Sequence, residues 1–155
     1  MIFGPVLDVG RKPRWGRLEK TYGEDTHLIG EMGVAAVVGM QGDKESITDD
    51  HVAVALKHYC GYGEPVGGLN CSPVVSAEER DFRAIHLYPF RQVITRVNPR
   101  SIMPSYDEID EAQLIQINGY CKIFYVMNLG SKDLLYPMLE AFYGYIGMRK
   151  LRRIH

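Results

Sequence analysis

Three places in this chain set chemically capable polar side chains at or just after an apolar run. Arg17 lies in the loop that follows Ile2 to Val9. Lys57 and His58 sit near the end of the run from Val52 to Tyr59, and Tyr106 closes the one from Ser101. Arg, Lys and His offer directed, charge-assisted hydrogen bonds, the chemistry of holding a polar ligand. Each also has a plainer reading. Arg17 reads as a surface ion-pair partner, Lys57-His58 as a polar strand end, and Tyr106 as a tyrosine at the rim of a core. Their recurrence at three successive apolar runs is what points to a site. His27, His51, His86 and His155 share no such pattern and read as structural or solvent-exposed.

Other chemistries are excluded more directly. Cys60, Cys71 and Cys121 form an odd set without a CxxC pair, which argues against a disulfide scaffold or a structural zinc site. The loop GYGEPVGG lacks a following GK[ST], so it is not a phosphate-binding loop. A net charge of -1 argues against a general nucleic-acid binder. No apolar run approaches the roughly 18 residues of a membrane span, so no membrane crossing is expected. MIFGPVLDVGRK has no basic start followed by an apolar stretch and a cleavage site, so no secretory signal is expected.

The elements that must position these residues follow from periodicity. IFGPVLDV reads as a short buried strand, and the Gly-, Pro- and charge-rich GRKPRWGRLEKTYGED as a loop. Thr26 is the expected cap of a helix over HLIGEMGVAAVVGMQG, which stops at Gly42. Val52 to Tyr59 is a second strand. Ser76 and Glu79 resemble a capping box, and AEERDFRAIHLYPFRQVI reads as a helix interrupted near Pro89. Ser101 to Tyr106 is a third strand. Strands alternating with helices predict parallel βαβ units, whose functional side chains lie beyond the C-terminal strand ends.

The segment PVLDVGRKPRWGRLEKTYGED closely resembles the fingerprint of the family 3 glycoside hydrolases, the β-glucosidase-type enzymes. The likeness continues through GEMGVAAVVGMQG, ALKHYCGYGEPVGGLN, ERDFRAIHLYPF and SIMPSYDEID, covering residues 2 to about 110. It implies an α/β fold, a partial (β/α)8 TIM-type barrel from about the third strand to the fifth. A complete barrel of this kind takes about 250 residues, against 155 here. The resemblance implies that Arg17, Lys57 and His58 hold the hydroxyls of the sugar being cleaved. Tyr106 would lie beside the catalytic carboxylate. It implies a β-glycoside or oligosaccharide as partner, and neither cofactor nor metal. Lys12 and Lys20 stand where the family pattern has Asp and Glu, reversing charge in the loop that carries Arg17. The GYG after Lys57-His58 is more like the β-glucosidase and β-xylosidase branch than the N-acetylglucosaminidase branch.

After Asp110 the resemblance ends, dividing the chain into a partial barrel domain, 1–110, and a tail, 111–155. The family continues there with a helix of the type NKWLLTDILR, then EWGFKG, then a strand ending in Ser-Asp, whose Asp is the nucleophile. This chain reads EAQLIQINGYCKIFYVMNLGSKDLLYPMLEAFYGY instead. Read one base early, the codons from Asn118-Gly119 permit Trp and then Leu, Leu, Gln, Asp, Ile, Leu, Arg. Those from Met127 to Met138 permit Glu, Phe, Gly, Phe, Lys, Gly, Phe, Val, Val, Ser, Asp. Loss of one base just after Asp110 produces this shift, so the tail is expected to be out-of-frame translation. Its composition agrees: from 112 onward six basic side chains face two acidic ones, and five of the ten tyrosines fall after position 119.

Two functions are then expected to compete. One is a fragment of a retaining glycosidase, without a catalytic residue because the nucleophile is out of frame and the acid/base Glu lies outside the chain. The other is a non-catalytic sugar-binding or partner-binding remnant. A partial barrel also leaves open sheet edges, which favour self-association.

Overall fold

The computed structural model describes residues 1–42, 47–69 and 79–105, with two short strands at 108–109 and 112–113. Strands β1 (Ile2–Val6), β2 (Val54–Tyr59) and β3 (Ser101–Pro104) form one parallel sheet in the order β1-β2-β3. Ile2 pairs with Val54 and Val6 with Lys57 on one side of β2. Leu56 pairs with Ile102 and Tyr59 with Pro104 on the other. Strand β2 is apolar because it is central: Val54, Ala55 and Leu56 are buried, as expected of a strand covered on both faces. Strands β4 (Glu108–Ile109) and β5 (Ala112–Gln113) form a separate antiparallel pair.

Parallel strands need long crossovers, and helices supply them. Helix α1 (Thr26–Gln41) joins β1 to β2. Its cap is Asp25, not the expected Thr26. Asp25 Oδ1 accepts hydrogen bonds from the backbone N–H groups of His27 (2.8 Å) and Leu28 (3.0 Å). A carboxylate there satisfies two orphan donors and complements the positive end of the helix dipole. At the other end, Gln41 is buried. Its Nε2 donates to the carbonyl of Asn98 at 2.9 Å, and its Oε1 accepts from the N–H of Arg100 at 3.2 Å. The end of α1 is thereby tied to the entry of β3.

The second crossover runs through α2 (Glu79–Asp81), a π-helical turn at Phe82–His86 and α3 (Leu87–Arg96). The expected interruption near Pro89 lies one turn earlier. Pro89 has no N–H to offer Ile85, and its ring crowds that carbonyl. The wider turn relieves this: the N–H of Leu87 reaches back five residues to the carbonyl of Phe82. The helix then continues through Pro89 to Arg96. Ser76, the first half of the expected capping box, lies outside the described residues.

The core lies between the sheet and these helices. Leu7, Val9, Ile29, Val37, Leu56, Phe82, Leu87, Phe90, Val93 and Ile102 form one buried cluster. Among the described residues, no helix is long and apolar enough to cross a membrane, and no cluster of metal-ligating side chains forms.

Candidate functional site

The sheet directs its strand ends to one side, and the polar residues collect there. The expected first strand stops pairing at Val6, but Leu7, Asp8 and Val9 stay buried beyond it. Asp8 is the unexpected member. Its side chain has no exposed surface and lies against His58. Asp8 Oδ2 is 2.8 Å from His58 Nδ1, and Oδ1 accepts the backbone N–H of His58 at 3.2 Å. Burying a carboxylate costs several kcal/mol unless its oxygens are engaged. Both are engaged here, with one residue of the neighbouring strand.

On the other side of the imidazole, Arg17 Nη2 is 3.5 Å from His58 Nε2. The loop after β1 therefore folds back over the end of β2, bringing together residues 41 apart in sequence. Aromatic rings hold this return. The Arg17 guanidinium lies 5.2 Å from the centre of the Tyr62 ring, a cation–π placement. Tyr62 packs at 4.8 Å against the His58 ring and meets Trp15 edge-on at 5.5 Å. Trp15 and Tyr62 are buried, so the guanidinium rests on a fixed support. Lys57 is half-buried beside His58. Arg17 and His58 thus meet, and Lys57 adjoins them in sequence. Tyr106, the fourth expected member, lies outside the described residues.

A second polar group lies alongside. Glu64 is 5 % exposed. Lys12 Nζ is 3.1 Å from its Oε2, and Arg11 Nη1 is 3.8 Å from its Oε1. The reversed charge at Lys12 is therefore absorbed by a buried carboxylate from the loop after β2, whereas Lys20 is exposed. His86 Nε2 is 3.8 Å from the same Oε1, beyond hydrogen-bonding distance. Among the described residues, neither buried ring nitrogen of His86 has a hydrogen-bond partner. Burial, then the Arg11 charge, lowers its pKa from 6.5 to about 4. Asp81 acts in the opposite direction, raising it, but by less than burial and Arg11 lower it.

The two loops are in contact through backbone as well. A side chain at Gly63 would place Cβ 2.2 Å from the carbonyl oxygen of Val9. At Gly68, where φ is +75°, it would come within 2.6 Å of Arg14 Cβ. Glycine is the residue that permits both.

Arg17, Lys57 and His58 were singled out in the sequence, and the structure adds Asp8, Glu64, Trp15 and Tyr62 around them. A signal for Asp8 was present: one acidic residue inside the apolar run PVLDV must find a partner or stay out of the core. Glu64 carried no such sign in a Gly/Pro-rich loop.

Comparison with known proteins places the chain in a family. The family model described as glycosyl hydrolase family 3 N terminal domain matches residues 1–143. A β-xylosidase of Formosa agariphila is 36% identical over 110 residues, covering 70% of this chain and 15% of the relative. A putative β-xylosidase of the same organism is 30% identical over 148 residues, covering 95% of this chain and 18% of the relative. Both alignments leave more than four fifths of the relative unmatched. Among solved structures, a mutant β-glucosidase from Listeria innocua in complex with laminaribiose superposes with a TM-score of 0.71 at 27% identity. It covers 81% of this chain and 18% of that one.

Proposed function

This chain belongs to glycosyl hydrolase family 3, through the N-terminal domain of that family, and on that premise we propose that it carries the sugar-holding side of a β-glycosidase site. The parent reaction is retaining hydrolysis of a terminal β-D-glucoside or a similar β-glycoside. In it a nucleophilic Asp forms a glycosyl-enzyme, and a second carboxyl group serves as acid and then base. Arg17, Lys57 and His58 hold the sugar hydroxyls, and Tyr106 stands beside the nucleophile. Donors that tighten on the transition state are where such an enzyme gains rate.

The observation that carries this reading is the 3.5 Å approach of Arg17 to His58. Two loops far apart in sequence converge on one group of hydrogen-bonding atoms, and a buried carboxylate supports it from behind. The Listeria innocua β-glucosidase that shares this fold was solved with laminaribiose, with glucose and with isofagomine. These complexes support a β-glycoside as the ligand here.

The chain as given does not hydrolyse substrate on this reading. Its nucleophile is lost in the tail from 111 onward, translated out of frame, and the partial barrel of residues 1–110 keeps only the binding side. The family match to residue 143 crosses that boundary. The nucleotide sequence decides the matter: bases after Asp110 that do not encode the family helix and Ser-Asp in the adjacent frame sink the frame change. The enzymatic and binding readings separate in two assays on the purified chain. An aryl β-glucoside should release no aglycone, and turnover would overturn the claim of inactivity. Calorimetric titration with glucose should give heat that Arg17→Ala weakens about tenfold, the loss of one charged hydrogen bond. Absence of heat with a folded sample would remove the sugar-holding role.

A further inference from the structure

We propose that Asp8 is a positioning residue that fixes the tautomer of His58, so that Nε2 faces the site as a hydrogen-bond acceptor beside the Arg17 donor. The inference rests on the sugar-holding reading above and adds to it the direction in which a hydroxyl is bound.

The argument is one of matching donors to acceptors. An Asp carboxylate can only accept hydrogen bonds. Asp8 Oδ2 lies 2.8 Å from His58 Nδ1, so that nitrogen must carry the proton. The imidazole cannot turn over to offer its other edge. Turned over, it would set a carbon against Asp8 Oδ2 and leave that buried oxygen unpaired, and Tyr62 packs against the ring at 4.8 Å. The far nitrogen, Nε2, lies 3.5 Å from Arg17 Nη2. A guanidinium has donors only. A proton on Nε2 would set two donors against each other, whereas a bare Nε2 gives Arg17 an acceptor.

Asp8 and Arg17 therefore ask for the same tautomer from opposite sides of the ring. The second nitrogen of a functional histidine is set in this way by what the first one bonds. The outcome is a bare acceptor and a fixed cationic donor side by side. A ligand hydroxyl suits that pair by replacing their long 3.5 Å contact: its hydrogen goes to Nε2 and its oxygen accepts from Arg17. A carbonyl or an anion, which offers acceptors only, would meet the lone pair of Nε2 instead. The ligand class selected is a neutral polyol, a sugar hydroxyl in particular.

The test uses the full chain labelled with nitrogen-15. Long-range proton–nitrogen correlation spectra distinguish the two tautomers of each histidine, and His58→Gln identifies the His58 signals. The wild-type chain should show His58 protonated at Nδ1. A wild-type spectrum with the proton on Nε2 overturns the proposal, even if every Asp8 variant fails to fold. Asp8→Asn keeps the shape but presents an N–H₂ to Nδ1, so His58 should change tautomer and glucose binding should fall at least about tenfold. An unchanged His58 spectrum in a folded Asp8→Asn chain also overturns it. If the tautomer is as stated and changes in Asp8→Asn, but glucose does not bind the wild-type chain, the positioning role stands and the sugar-holding reading fails.

Discussion

Asp8 and His86 show how differently two buried polar residues can be accommodated. Asp8 engages both oxygens with His58, while His86 has no hydrogen-bond partner at either ring nitrogen among the described residues. The consequence for His86 is a dependence of stability on pH. Its pKa falls from 6.5 unfolded to about 4 folded, so between those values the unfolded chain binds the extra proton. Stability therefore rises with pH across that window. It is complete above 6.5 and is lost as pH falls towards 4, by about 3 kcal/mol. Urea unfolding of the wild-type chain and of His86→Gln at pH 7 and pH 4 should differ by that amount in their acid-side losses. Equal losses in the two chains would show that His86 is not the group that titrates. None of this was legible beforehand, since His86 reads as one histidine on a helix and its burial comes with the π-helical turn at Phe82–His86.

At the scale of elements, the strand ends and the loops beyond them act as one construction. Gly63 passes directly beneath the Val9 carbonyl, with no room for a methyl group. Gly63→Ala should destabilise the chain by about 3 kcal/mol, the upper range for forced overpacking, and should weaken glucose binding with it. A thermal midpoint within a degree of wild type would show that the two backbones separate at little cost. The elements themselves were largely legible. Periodicity located all three parallel strands and both crossover helices, because an apolar run between polar loops is a local property. Their ends were less so. Asp25 and Thr26 are both good caps, and only the turn geometry decides between them. Pro89 announces an irregular helix, but the turn that absorbs it can be placed only with the helix in view. The site was half legible. Arg17, Lys57 and His58 stood out as hydrogen-bonding side chains at or after strand ends, whereas Asp8, Glu64 and Tyr62 gain their surroundings from contacts across loops.

At the scale of the whole molecule, the sheet has a consequence for association. Among the described strands β1 pairs on one side only. Ile2 and Phe3 on it are 43% and 52% exposed. An apolar strand with an unpaired edge is a template for another chain. Sedimentation should show the average mass rising with concentration, and Phe3→Lys should reduce that rise by placing a charge on the edge. A monomer at every concentration would remove self-association from the account. Such an edge was expected from a partial barrel. Which side chains decorate it was not, because exposure at a sheet edge depends on what the rest of the fold leaves uncovered.

The contact of Gly63 with Val9 also bears on how this site could be altered or transferred. The loop bearing Arg17 and the loop following His58 share a wall of backbone, and Lys12 locks to Glu64 across it. Neither loop is an independent cassette. Grafting one alone onto a related scaffold would import a surface shaped for an absent counterpart, so any exchange between relatives has to carry both together.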